Sequence, residues 1–210
     1  MKMKAISMVF VCSVLSACNA VDPVHDPKSS DDNPDLGVAE SELLQCGIGC
    51  AAGSHAASFS CGFSCGSCSF GNNQTDCQPN SGSFSSCSIG CPGGWHVTGF
   101  SFNPSCNVSI GNINNNQSSC QPNTGASFLS CAIGCPAGYH VTGFSFNPSC
   151  NVSIGNINNN QSSCGSNSGS GFLSCGIGCP APYRAVGFSF NPSCNVSIGS
   201  ISNNQTTCQL

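Results

Sequence analysis

Cys61, Cys65 and Cys68 stand in a C-x3-C-x2-C pattern. Three thiolates at that spacing could hold a metal ion or an iron-sulfur cluster, and the C-x-x-C pair Cys65 and Cys68 has the spacing of a dithiol that exchanges with disulfides. His55, His96 and His140 recur at equivalent positions along the chain, as metal ligands might, but the fourth equivalent position is Arg184, which cannot ligate. They therefore read as polar residues at a strand end. Trp95, Tyr139 and Tyr183 also share one position, with Ser54 in the first copy. An aromatic shown once per copy could stack on a sugar ring or anchor a protein contact, and could equally plug a small core.

Charge removes most other chemistry. Beyond residue 42 the only charged side chains are Asp76 and Arg184. Glycoside hydrolysis needs two carboxylates, and a hydrolytic triad needs a base with an orienting partner. Neither set can be assembled. A phosphate-cradling glycine loop and a basic patch are absent from the sequence, which argues against nucleotide and nucleic-acid partners. The expectation is a chain that is not an enzyme and uses no cofactor or metal.

The elements that carry these residues are repeated. Cys87, Cys91, Cys106 and Cys120 follow C-x3-C-x14-C-x13-C, and the spacing returns at Cys131, Cys135, Cys150, Cys164 and at Cys175, Cys179, Cys194, Cys208. A divergent first copy has Cys46, Cys50, Cys65 and Cys77, with a second half two residues shorter. A period of about 44 residues, with turn-rich linkers such as QPNTGAS and no helix signal, predicts an all-β, irregular, tandem array of four small disulfide-rich repeats. No helix is expected outside the N-terminal leader. The cysteine boundaries divide the array at 46–86, 87–130, 131–174 and 175–210.

Of the 20 cysteines, setting aside Cys12 and Cys18 near the N-terminus leaves 18, an even number with four in each regular copy and six in the first. Such density points to an oxidising compartment, where oxidised pairs outweigh metal thiolates. Bridges between repeats would strand cysteines at the ends of the array, so bridges inside each repeat are expected; four cysteines still leave three connectivities open. The two extra cysteines of the first copy, Cys61 and Cys68, align with Phe102 and Ser109 and should pair with each other. Because bridged Cβ atoms lie about 4 Å apart, their positions should face one another across a hairpin with strands near 97–102 and 107–113. Phe100, Phe102, Val108, Ile110 and Ile113 are the expected core. That core is small for the chain entropy it must offset, so the disulfides carry the fold.

The chain opens with Lys2 and Lys4 ahead of an apolar run from Ala5 to Leu15, shaped like an export signal and too short to span a bilayer. The run ends in Leu15-Ser16-Ala17-Cys18, which resembles the lipobox of bacterial lipoproteins. The resemblance covers only about the first 20 residues. It implies cleavage before Cys18 (leader 1–17), lipidation of the Cys18 thiol and a stable membrane anchor, each buried CH₂ contributing about 0.8 kcal/mol. Asn19 in place of Asp implies the outer membrane. Secretion after cleavage at Ala20 is the alternative. Residues 18–45 are rich in Asp, Pro and Ser and read as a disordered tether that spans about 30 Å as a coil and roughly 90 Å stretched.

Together these features point to a membrane-anchored repeat lipoprotein of the cell envelope whose modules engage a glycan or protein surface through several weak contacts. The alternative is self-association in a coat or matrix, favoured by the near absence of charge on the repeats.

Overall fold

In the computed structural model of the chain, the described residues are 43–69, 71–109, 114–153, 158–197 and 202–210. The leader, Cys18 and the tether lie outside them, as do Ile110 and Ile113. The described chain is all-β: twelve strands make four three-stranded antiparallel sheets. The first contains β1 (Leu43–Cys46), β2 (Ser54–Ser60) and β3 (Gln74–Pro79), and the second β4 (Phe84–Ser86), β5 (Trp95–Ser101) and β6 (Gln117–Pro122). The third contains β7 (Ser127–Ser130), β8 (Tyr139–Ser145) and β9 (Gln161–Ser166), and the fourth β10 (Gly171–Cys175), β11 (Arg184–Ser189) and β12 (Gln205–Gln209). In each sheet the last strand lies in the middle, giving the orders β1-β3-β2, β4-β6-β5, β7-β9-β8 and β10-β12-β11. Each sheet takes in the strand just ahead of its first cysteine.

The middle strand dictates the packing. In β6, Ser118 and Cys120 share one face of the strand and are buried, as are Ser162 and Cys164, Thr206 and Cys208, and Thr75 and Cys77 in the other copies. Small side chains are required because the Cys-x-Ile-Gly-Cys loop lies directly on this face. Ser118 Oγ donates to the Ser88 carbonyl at 2.6 Å and accepts from Gly90 N at 2.8 Å, so one hydroxyl satisfies both backbone groups of the loop. Ser162, Thr206 and Thr75 repeat the clamp on their own loops. The outer strand carries a bulge in every copy, between Ala56 and Ser58, Val97 and Gly99, Val141 and Gly143, and Ala185 and Gly187.

Nine disulfides staple these sheets. The first cysteine of each repeat pairs with the third, in Cys46–Cys65, Cys87–Cys106, Cys131–Cys150 and Cys175–Cys194. The second pairs with the fourth, in Cys50–Cys77, Cys91–Cys120, Cys135–Cys164 and Cys179–Cys208. The extra pair is Cys61–Cys68. All eighteen repeat cysteines are therefore bridged inside their own repeats, and the open question of connectivity resolves to first-with-third and second-with-fourth.

Two expectations need correction. The partner of the outer strand is not 107–113: residues 107–109 are not strand, 110–113 lie outside the described residues, and β5 pairs instead with β6. Cys61 and Cys68 do bond, but across the one-turn 3-10 helix Phe63–Cys65 rather than across a hairpin. In the regular copies the matching turn is Pro104–Cys106, where Asn103 accepts from Ser105 N at 3.0 Å as N-cap and proline takes the first helical position. Asn116 then closes the segment, accepting from Asn103 N and donating to the Asn103 carbonyl. That double amide bond replaces the ladder a hairpin would have used.

The second correction concerns the core. Among the described residues the buried apolar set is ten half-cystines with Phe59 and Val97, whereas Phe102 and Val108 are exposed and Phe100 is half-buried. The interior of each repeat is largely sulfur.

Candidate functional site

The residues singled out for chemistry gather at the seams between repeats. At each seam the outer strand of one repeat faces the first strand and 3-10 turn of the next. His55 stacks on Phe84 with ring centroids 3.9 Å apart and planes 16° from parallel. His96 stacks on Phe128 at 3.9 Å and His140 on Phe172 at 3.8 Å. Each Phe then tilts against the aromatic residue of its own repeat: Phe84 on Trp95 at 5.6 Å, Phe128 on Tyr139 and Phe172 on Tyr183, both at 4.6 Å. Three seams thus carry the same three-ring stack.

The polar ends of these rings are committed. His55 Nδ1 donates to Asn80 Oδ1, His96 to Asn123 and His140 to Asn167, at 3.0 to 3.1 Å. Burial holds all three imidazoles below the ordinary histidine value; the asparagine bonds pull the other way, and Asp76 adds to that opposing pull at His55. Trp95 Nε1 donates to the Gly82 carbonyl, Tyr139 Oη to Gly125 and Tyr183 Oη to Gly169, so each aromatic fastens the linker that precedes it. With the histidine rings covered on one face by Phe and their Nδ1 bound, these residues act as seam fasteners.

Amides complete the seam. Asn72 Nδ2 donates to the Asn107 carbonyl, Asn115 to Asn151 and Asn159 to Asn195, all at 2.7 Å and all into the next repeat. Asn115 and Asn159 belong to the Asn-Asn-Asn-Gln runs at 114–117 and 158–161, so part of each run bonds by side chain to the backbone of the next repeat. A main-chain bond from Cys87 N to the Ala56 carbonyl, repeated from Cys131 N to Val97, joins outer strand to next strand at 2.7 Å. Beneath it Phe59 packs on the Cys87–Cys106 bridge, and Val97 on Cys131 and Cys150.

The third set of chemistry-bearing residues divides differently from its spacing. Cys65 bonds Cys46 and Cys68 bonds Cys61, so the C-x-x-C pair is not a disulfide of its own.

One recurring feature escaped the sequence reading. Ile48, Ile89, Ile133 and Ile177 sit at the middle of the four Cys-x-Ile-Gly-Cys loops and are 50%, 54%, 55% and 73% exposed. Each loop is fixed by two bridges, by the hydroxyl clamp, and by a glycine with φ of +129° to +135° that only glycine adopts without strain (Gly49, Gly90, Gly134, Gly178). The signal was present as four copies of Ile in an otherwise small and polar loop. Between successive loops lie open grooves. One of about 440 Å³ runs between the first two repeats, lined by Ile48, His55, Phe59, Ile89 and Pro92. Its counterpart of about 360 Å³ between the second and third is lined by Trp95, His96, Val97, Ile133 and Pro136. Trp95 thus borders a groove while fastening its linker.

No protein-family model matches the chain, and neither curated proteins nor solved structures give a match. Among the described residues no helix is long and apolar enough to cross a membrane.

Proposed function

We propose that this chain is a non-enzymatic repeat lipoprotein of the cell envelope, anchored through Cys18, whose array holds an uncharged glycan or protein surface by several weak contacts at once. The observation that supports this reading is the exposed isoleucine on a covalently fixed loop in every repeat, with grooves of matching composition between the loops. A fixed loop presents an apolar side chain with little ordering cost on binding. The grooves offer ring faces, sulfur, Ile and backbone, and no charge, so selection rests on shape and hydrogen bonding. A single such contact is weak; a row of them on one tether raises overall affinity by orders of magnitude, about 10² to 10⁴ for linked sites.

The test is attachment by cells displaying the array. Deleting residues 127–170 removes one whole period and leaves every remaining bridge with its partner. Attachment should fall at least about tenfold. Substituting Asp at Ile48, Ile89, Ile133 and Ile177 should abolish it while the free-thiol count stays at zero. Unchanged attachment in both variants defeats the reading.

A further inference from the structure

We propose that the Cys61–Cys68 bridge of the first repeat is a thiol-exchange site, which a small dithiol opens ahead of the other bridges without unfolding the repeat, releasing residues 61–69 beside the first seam. The inference is independent of the groove reading.

Access sets this bridge apart. Cys61 is exposed and Cys68 half-buried. Their position on the repeat is an open one in every copy: Phe102, Phe146 and Phe190, at the place of Cys61, are 43% to 45% exposed, and Ser109 and Ser153, at the place of Cys68, are exposed. By contrast, Cys50–Cys77 and every bridge of the second, third and fourth copies have at least one buried half-cystine. Cys46 is exposed as well, but β1 holds it in the sheet opposite Gln74, so its sulfur stays in place to close again on Cys65. Exposed bridges exchange more readily than buried ones.

Loop length makes the opening local. Cys61 and Cys68 are 7 residues apart, against 19 to 29 for the remaining bridges. A short closed loop restricts the unfolded chain least, so this bridge adds least to the stability of the repeat. What it restrains is its own segment. In the second copy Asn103 caps the turn, proline opens it, and Asn116 Nδ2 reaches the Asn103 carbonyl and Asn107 Oδ1. The first copy has Gly62, Phe63 and Gly66 at those places, and its turn has no side-chain cap. Covalent restraint replaces amide and proline restraint, so segment 61–69 loosens when the bridge opens. Just after it, Asn72 donates from its main chain to the Val108 carbonyl and from its side chain to the Asn107 carbonyl, both in the next repeat.

The exchange runs in two steps. One thiolate of the dithiol attacks the exposed Cys61 Sγ; a mixed disulfide forms, the Cys61–Cys68 bond breaks, and the electron pair leaves on Cys68. Cys68 takes a proton from water, with Asn73 Oδ1 as its acceptor 3.7 Å away. The second thiolate then attacks the reagent's own sulfur in the mixed disulfide. Cys61 leaves as thiolate, and the dithiol departs as a cyclic disulfide, oxidised by two electrons.

The test titrates the bridged chain with dithiothreitol, blocks new thiols with iodoacetamide and locates them by peptide mass. Cys61 and Cys68 should be labelled together at a dithiothreitol concentration at least about tenfold below that which opens any other bridge, with the β circular dichroism unchanged. At that stage hydrogen exchange should be faster at Gly62, Cys65 and Asn72 and unchanged at Cys131. The double variant Cys61→Ser with Cys68→Ser should keep the folded spectrum and show no early labelling. First labelling at any other cysteine overturns the inference, as does loss of the folded spectrum together with the first pair of thiols. Early labelling that persists in the double variant overturns it too, and so does exchange in 61–69 that stays as slow after opening as before.

Discussion

The inside of a repeat and the seam between repeats are built from different materials. Inside, two bridges and a buried hydroxyl hold a sheet whose interior is sulfur; at the seam, a three-ring stack, one amide and one main-chain bond join units that share no covalent link beyond the linker. A small module cannot bury enough apolar surface to fold alone, so crosslinks restrict its unfolded chain instead. A seam joins parts that are already ordered and needs only modest contact. The difference predicts that the two levels fail under different treatments.

Reduction should produce the largest effect. Opening two bridges per regular repeat, with sequence separations of 19 and 29 residues, removes about 3 kcal/mol each. The repeats should lose their β circular dichroism in dithiothreitol without denaturant. Retention of the folded spectrum after complete reduction breaks the distinction at its root.

Next is Phe128→Ala, which removes the ring shared by His96 and Tyr139 and leaves every bridge intact. A loss of about 2 to 3 kcal/mol at one seam should broaden the denaturant transition as the halves of the array uncouple. Leu43→Ala, at the equivalent place in the first repeat, has no stack to lose and should cost under about 1 kcal/mol. Equal effects from the two substitutions would mean that the stack is not what couples repeats.

How far the sequence carries one toward this picture depends on what kind of signal each residue gives. The repeat count, the all-β class, the confinement of bridges to single repeats and the Cys61–Cys68 pair follow from spacing and parity, which need no geometry. The partner of β5 did not follow, because V-S-I-G-N-I at 108–113 alternates as a strand would while Q-S-S-C at 117–120 carries no apolar residue but cysteine. Burial here is by sulfur and hydroxyl, so hydrophobic alternation marks the wrong segment. The seam was half legible. His55, His96, His140 and the aromatic position stood out as periodic, with Arg184 and Ser54 as their exceptions. Their partner Phe84, Phe128 or Phe172 sits in the neighbouring repeat, and period alone gives no sign of which periodic residues touch.

Ser162→Ala tests the inside of a repeat without touching a bridge. The hydroxyl donates to the Ala132 carbonyl at 2.6 Å and accepts from Gly134 N at 2.9 Å, and it has no exposed surface. Losing it leaves two backbone groups unpaired and should cost about 1 to 3 kcal/mol, felt within the third repeat alone. Hydrogen exchange should show faster exchange of Gly134 with the seam amides of the first repeat unchanged. Faster exchange along the whole array would mean that repeat and seam are one cooperative unit.

The smallest effect expected is that of pH, and it belongs to the seams only. Each stacked histidine is held below its ordinary value of 6.5, chiefly by burial. A base with a lowered folded value binds its proton more readily when the seam is open, so stability is fully present above the open-state value and is lost as pH falls from there toward the folded value. Between pH 7.5 and 5 the histidines are the only side chains whose ordinary values lie in range. Over that window the thermal midpoint should drop with acidification, and the free-thiol count should stay at zero because the bridges do not titrate. His55→Gln, His96→Gln and His140→Gln together should give a less stable array whose midpoint is flat over the same range. A slope that survives in the triple variant would place the titrating groups elsewhere than in the stacks. A flat profile in the wild type would mean that opening a seam does not hydrate its imidazole, and the contrast between covalent repeat and titratable seam would reduce to one of strength alone.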